Sequence, residues 1–436
     1  MYLTTSIILA VTIAAFVLST IYLKSPEISM FLAAVAATIV GLFMKVGDLT
    51  IVRGISVIVE GLFTNLDLAI TFICATFFVN VYSESGAMTS VTRRIVSKFE
   101  SKWVIMVFMA IFMLIPGALT GAGSVSVFVL GGLVSTVLGF MGLDKKKQTA
   151  FVFMFAIMSA AAPPINLWTM LMTAQANMPY VGFSKLLLFP IIIVSIFTIW
   201  FLGRGTQRES KEKILEALPE ETEGMNWLRI ILPILTLIGL ILASLYFPFN
   251  IPVLGIPLMF VLSTFVAMIC NPKKLSFKEY LGILNSTMEQ VFPLVATVIS
   301  VGALVNVMSC TGTKGLIGIV FITMPVIWIY ILLLVFAPIA QGSLSYGSSV
   351  LIGTPLIFMM NTRGLDTTIV CAAMSLIFPL GDCLPPSRIV GRVSIDVTGY
   401  EGKYTDFLKA ILIPGLLLGV IALSMFIFPK WYMFLK

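Results

Sequence analysis

"AFVFMFAIMSAAAPPINLW" (Ala150–Trp168) places two adjacent prolines, Pro163 and Pro164, inside a run otherwise apolar enough to cross a membrane. A proline within a helix removes a backbone donor and clashes with the carbonyl one turn back, at a cost of roughly 3 kcal/mol. Lipid offers the freed backbone groups no partner. Such a break is therefore tolerated only where protein buries it or where it lines a water-filled cavity.

The rest of the chain sets the context. Of 436 residues, 59% are hydrophobic and 11% charged. Apolar runs of about 20 residues, long enough to cross the hydrocarbon core, recur from end to end. The expected class is an all-α polytopic membrane protein, and the lack of strand-like alternation excludes a β-barrel. The first run, Leu3–Leu23, has neither a basic leader nor a small-residue cleavage site and reads as a retained helix. The five cysteines are scattered, without metal or disulfide spacing. There is no histidine, which removes the commonest general base and metal ligand. With no nucleophile motif and no Walker motif, the chain is not expected to be an enzyme or an ATPase. The net charge of +7 lies in short loops beside helix ends. There it marks a cytoplasmic face rather than a nucleic-acid partner.

A shift of 222 residues lays Pro163-Pro164 on Pro385-Pro386 and "GLD" at Gly142–Asp144 on "GLD" at Gly364–Asp366. Ala150 then meets Ala372, Gly131 meets Gly353, Ser126 meets Ser348, and Pro116 meets Pro338. From Pro116 to Pro164, ten of 49 ungapped positions are identical. Most are Gly, Pro, Asp or Ser, which an apolar chain does not share by composition alone. Pro26 and Pro248 match at the same offset, so the repeat is expected to span each half of the chain.

Repeat one (residues 1–203) reads as helices at 3–23, 28–45 and 54–83, then an amphipathic stretch near 86–101. A hairpin at 103–142 follows, its arms 103–119 and 125–142 joined by "TGAGS" (Thr120–Ser124). A broken helix at 147–180 and a helix at 184–203 complete it. Basic residues flank the hairpin on both sides: Arg93, Arg94, Lys98 and Lys102 before, Lys145–Lys147 after. If both flanks are cytoplasmic, the hairpin is re-entrant and repeat one crosses five times. The second copy (226–436, hairpin 320–363, broken helix 366–398) is then inserted upside down. The segment 204–225 reads as a cytoplasmic linker with a short helix. The expected fold is thus two inverted repeats with about ten transmembrane helices, two re-entrant hairpins and two broken helices. Broken helices present amide and carbonyl ends at mid-membrane depth, which suits a solute site.

At this point the chain resembles a known family. "PGALTGAGSVS", "AAPPINLW", "CLPPSRI" and "GYEGKYTDFLKAILIPGLL" are similar to the DctM-like large membrane subunit of TRAP transporters, within the wider ion transporter superfamily. The resemblance spans nearly the whole chain. It implies sodium-coupled, elevator-type uptake of a small organic anion, such as a C4-dicarboxylate, across the bacterial cytoplasmic (inner) membrane. It also implies a small membrane subunit and an extracytoplasmic binding protein as partners, and a homo-oligomer remains open. Two features depart from the family pattern: the serine-rich second tip "AQGSLSYGSS" (Ala340–Ser349) and Arg388, directly after the second proline pair's Ser387.

The candidate solute-binding residues are Ser124, Asn166, Ser345, Ser348, Pro385, Ser387 and Arg388. Arg388 is singled out because a guanidinium pairs two-pronged with a carboxylate. The sodium candidates are Gly123, Ser126, Pro163, Ser349 and Asp382, since a hard cation wants several oxygens. Asp382 could instead carry a proton or pair with an arginine. Asp67, Glu60 and Glu289 are expected at helix ends or in a scaffold, and Trp168, Trp103 and Trp431 at the membrane interface. The alternative function is a proton- or sodium-coupled cation antiporter on the same scaffold. A channel fits less well, because paired broken helices suit alternating access.

Overall fold

A computed structural model describes residues 2–47, 49–247, 254–385 and 388–436. Pro248, Pro386 and Ser387, named above, lie outside the described residues.

All elements among the described residues are helical. Among the described residues, ten helical spans are long and apolar enough to cross a membrane, Ile51–Glu84 counting as one. In chain order the first half comprises α1 (Tyr2–Leu23), α2 (Pro26–Phe43), α3 (Ile51–Thr64), α4 (Leu66–Glu84), α5 (Ala87–Lys98) and α6 (Lys102–Thr120). It continues with α7 (Gly123–Phe140), α8 (Lys145–Ala161), α9 (Leu167–Ala176) and α10 (Phe183–Gly203). After the linker helix α11 (Lys211–Ala217), the second half repeats the order: α12 (Trp227–Tyr246), α13 (Ile256–Cys270), α14 (Phe277–Cys310), α15 (Thr313–Thr323) and α16 (Val326–Leu344). Last come α17 (Ser349–Thr362), α18 (Thr367–Cys383), α19 (Ile389–Thr398) and α20 (Tyr404–Ile427).

Two boundaries differ from the sequence reading. The expected helix 54–83 is two helices, interrupted at Asn65, whose counterpart in the second half, α14, runs unbroken for 34 residues. The second hairpin begins at Val326 rather than 320. Residues 313–323 form the separate helix α15, the partner of the amphipathic α5, and Pro325 caps the start of α16.

The halves are inverted. Asn306 Nδ2 donates to the Val57 carbonyl, Asn65 Nδ2 to that of Val298, and Asn80 Nδ2 to Thr287 Oγ1. As numbering rises along α3 and α4, it falls along α14, so equivalent elements run antiparallel. The crossing is close: a Cβ on Gly61 would come within 2.6 Å of the Ala303 Cα. Only glycine fits backbones at that distance.

The recurring "GLD" has a physical reason. Gly142 and Gly364 take positive φ (83° and 70°). In both, the next amide, Leu143 or Leu365, bonds back five residues to Leu138 or Met360, a Schellman closure. The aspartate then caps the next helix: Asp144 accepts from Lys147 N at 2.7 Å, and Asp366 from Thr368 N and Ile369 N. Gly stops one helix and Asp starts the next. A π-turn recurs at the same offset, Val127–Gly131 and Ser349–Gly353.

α8 and the first part of α18 form the centre. Every residue of α8 from Gln148 to Ala161 is buried, as is every residue from Ile369 to Ile377. By contrast α1 exposes Ile7, Ile13, Val17, Leu18 and Ile21, the apolar surface that lipid covers. The linker is bound across one face. Arg93 Nη1 donates to the carbonyls of Leu215, Leu218 and Pro219, Arg94 pairs with Glu221 at 2.6 Å, and Lys102 reaches the Gly203 and Thr206 carbonyls. The basic residues before the first hairpin thus hold the linker against α5 and α6.

Candidate functional site

Both breaks sit beside both hairpin tips, but their polar groups are used differently. At the first break α8 ends at Ala161 and α9 starts at Leu167. Asn166 spans the gap. Its Nδ2 donates to the Ala161 carbonyl (2.9 Å) and to Ser375 Oγ (3.0 Å), and its Oδ1 caps Thr169 N (3.0 Å). Tyr180 accepts from Asn166 N and donates to the Pro164 carbonyl. Ile165 N bonds to the Ala118 carbonyl on the hairpin arm. These bonds satisfy backbone groups left open between the two half-helices.

The first tip turns at Gly121 (φ 71°). Ser126 is fully buried, accepts from Gly117 N (2.8 Å) and lies 3.0 Å from Ser159 Oγ. Gly123 packs on α8, where a Cβ would sit 2.6 Å from the Ala156 carbonyl oxygen.

The second tip turns at Ser345 (φ 51°). Here a different network forms, centred on Gln341. Its Nε2 donates to Asp382 Oδ1 at 2.9 Å. Its Oε1 accepts from Trp168 Nε1 at 2.9 Å and from Ser348 Oγ at 2.7 Å. The Tyr346 ring lies 4.8 Å from that of Trp168, and its hydroxyl reaches the Gly121 carbonyl of the first tip at 3.4 Å. Ser349 Oγ donates to the Tyr346 carbonyl. Trp168 is therefore a fully buried strut, not an interface anchor. Trp103 and Trp431 are exposed.

A cavity of about 750 Å³ lies between these tips and the helices α2, α4 and α14. One wall carries Ser124, Ser345, Tyr346, Asp382 and apolar residues of α19. The opposite wall carries Glu27, Asn80, Gln290 and Thr297, with Glu84 and Glu289 also lining it. Glu27 accepts from Thr297 Oγ1 (3.2 Å) and Ser25 Oγ (2.7 Å), and Glu84 lies 3.8 Å from Lys273 Nζ. Among the described residues, the charged side chains lining the cavity are all carboxylates.

Of the candidates from sequence, the cavity brings together Ser124, Ser345 and Asp382. Ser348 stands one residue behind, on Gln341. Gly123, Ser126, Asn166 and Ser349 pack within the protein and do not line it, nor do Pro163 and Pro385. Arg388 does not line it either. Its guanidinium carbon sits 4.7 Å from the Tyr404 ring centre, its backbone is left-handed (φ 50°), and its Nε is buried without a hydrogen-bond partner among the described residues. Sequence reasoning missed Glu27, Tyr346 and Gln341. Gln341 had one available signal, as the lone amide of "AQGSLSYGSS". Glu27 had another, as a carboxylate opening an apolar helix.

No protein-family model and no curated protein matches the chain. Solved structures do. The Alcanivorax borkumensis YdaH transporter, described as having an unusual topology, superposes with a TM-score of 0.57 at 14% identity, over 87% of this chain and 88% of its own. MtrF of Neisseria gonorrhoeae, described among antimetabolite efflux pumps, gives a TM-score of 0.50 at 12% identity, over 82% and 80%. At these identities the likeness is one of fold. Both structures are of transport proteins.

Proposed function

We propose that the chain is a secondary active transporter that moves a small organic anion with a coupling cation by alternating access. The observation that carries this reading is the cavity. It is walled on one side by both hairpin tips and the second break, and on the other by helices α2, α4 and α14. A solute bound there touches two bodies, and relative movement of the bodies passes it across. The fold neighbours, both transport proteins, support the same reading.

The coupling ion is sodium, held at Asp382 with hydroxyl and carbonyl oxygens of the second tip. Ser124 and Ser345 meet the solute. A bound cation neutralises the carboxylate before the site passes the bilayer interior, where an uncompensated charge is costly. A ligand pair loaded together therefore favours movement, and half-loading opposes it. In this elevator-type scheme the hairpins and broken helices travel as one body against the scaffold of α2–α4 and α14. The TRAP resemblance adds an expectation of an extracytoplasmic binding protein and a small membrane subunit, and of the bacterial inner membrane as location.

A second reading has its own support. A cavity whose charged lining groups are carboxylates suits a cationic solute, carried alone or exchanged for protons or sodium. Proteoliposomes of the purified chain distinguish the two. Sodium-driven uptake of a labelled C4-dicarboxylate, citrate or sialic acid supports the anion carrier. Proton-driven cation flux without anion uptake would replace it with the antiporter. Uptake that appears only with an added binding protein and small subunit would place the chain in a TRAP system.

A further inference from the structure

We infer that Gln341 is a positioning residue for the ion site: it aims the Asp382 carboxylate and transmits ion occupancy to the first half of the protein through Trp168. The inference rests on the proposed reading that a cation binds at Asp382.

The geometry leaves the amide one orientation. Nε2 donates to Asp382 Oδ1, and Oε1 accepts from two donors, Trp168 Nε1 and Ser348 Oγ. A flipped amide would face the indole N–H, which only donates, with a donor and the carboxylate with an acceptor. The four side chains come from four places. Gln341 stands on the first arm of the second hairpin, Ser348 just past its tip, Asp382 at the end of α18, and Trp168 on α9 beyond the first break. All four are buried, at 1%, 0%, 9% and 0% exposed. Only Asp382 reaches the cavity.

The surroundings hold Gln341 in place. Gly381, next to Asp382, packs so closely on α16 that a Cβ there would come within 2.6 Å of the Gln341 Cβ. The stem of Gln341 is thus seated directly against the chain segment that carries Asp382. An ion drawing on Asp382 pulls on Nε2, and the same rigid amide plane carries the pull to Trp168 and Ser348. This explains why a buried amide stands in an otherwise serine-rich tip. A hydroxyl has a single proton that rotates to suit its neighbours, whereas a planar amide joins three partners in fixed directions. Partners of this kind, one bond behind the ion, fix ligand orientation and tune affinity.

The test uses the purified full chain and sodium chloride titrated against choline chloride at constant ionic strength. It reads melting temperature and indole emission. Wild type should show a sodium-dependent rise in melting temperature and a sodium-dependent emission change that Trp168→Phe removes. Gln341→Leu should weaken the apparent sodium affinity about tenfold. At saturating sodium it should still be stabilised, yet without the emission change. Gln341→Met, of closer shape, should behave alike if Leu proves hard to fold. A purely structural residue would lower the melting temperature in choline and leave sodium affinity and the emission change intact; that result overturns the inference and spares the ion site. No sodium response in wild type overturns both.

Discussion

The two breaks are built on one plan and finished with different chemistry. At the first, Asn166 and Tyr180 bond backbone groups at the break, Ser126 and Ser159 tie the hairpin arm to α8 beside it, and all are uncharged. At the second, the corresponding space holds Asp382 and Gln341, and the carboxylate faces a cavity. Offset 222 sets Asn166 opposite Arg388, Leu119 opposite Gln341, and Ala160 opposite Asp382. The duplicated backbone supplies the symmetry, and substitutions in one copy supply the site. The first break is closed by its own uncharged partners, and the second turns a carboxylate toward the cavity.

The sharpest test of that contrast is removal of the charge. Asp382→Asn should lower cation-driven uptake by about a hundredfold, while removal of the polar group that spans the first break, Asn166→Ala, should act on folding instead. Uptake in Asp382→Asn within a fewfold of wild type would end the asymmetry argument. Next in size is Gly381→Ala, which forces a methyl group against α16. Overpacking there should destabilise by about 3 kcal/mol, read as a lower melting temperature. Ser126→Ala leaves Gly117 N without its buried acceptor and should cost about 2 kcal/mol, with ion dependence unchanged. The two caps sharpen the symmetry itself. Asp144→Ala and Asp366→Ala should each cost about 1 kcal/mol, as matched positions should. The smallest effect belongs to Arg388→Lys, which keeps the charge and loses the planar stack on Tyr404. It should cost about 0.5 kcal/mol and leave uptake within twofold; a far larger loss of uptake would return Arg388 to the solute site.

Much of the architecture could be read from residues whose backbone demands are distinctive. Paired prolines, "GLD" and the glycine turns survive in both halves because each answers a geometric need that few residues meet. The interruption at Asn65 could not be read, since its partner α14 continues through the same place with similar composition. The start of the second hairpin was misplaced because α15 is apolar, whereas its counterpart α5 is amphipathic and easy to see. At the site, Ser124, Ser345 and Asp382 were legible as polar groups near the breaks. Gln341 and Glu27 were not, because their meaning depends on neighbours 41 and 270 positions away in sequence. Trp168 misled because an indole in an apolar chain is ordinarily at the interface, and only a buried acceptor, here Gln341, holds it inside.

One dimension of the scaffold reaches beyond the protein. α14 has 34 residues, about 51 Å of helix, against a hydrocarbon layer of about 30 Å. Such a helix must lean steeply or project from the layer. Asn80 is bonded to it, and Gln290 and Thr297 ride on it, so the far wall of the cavity takes its slope from that lean. Bilayer thickness therefore acts on the width of the cavity, and in the proposed scheme the membrane becomes a parameter of transport rather than a passive support.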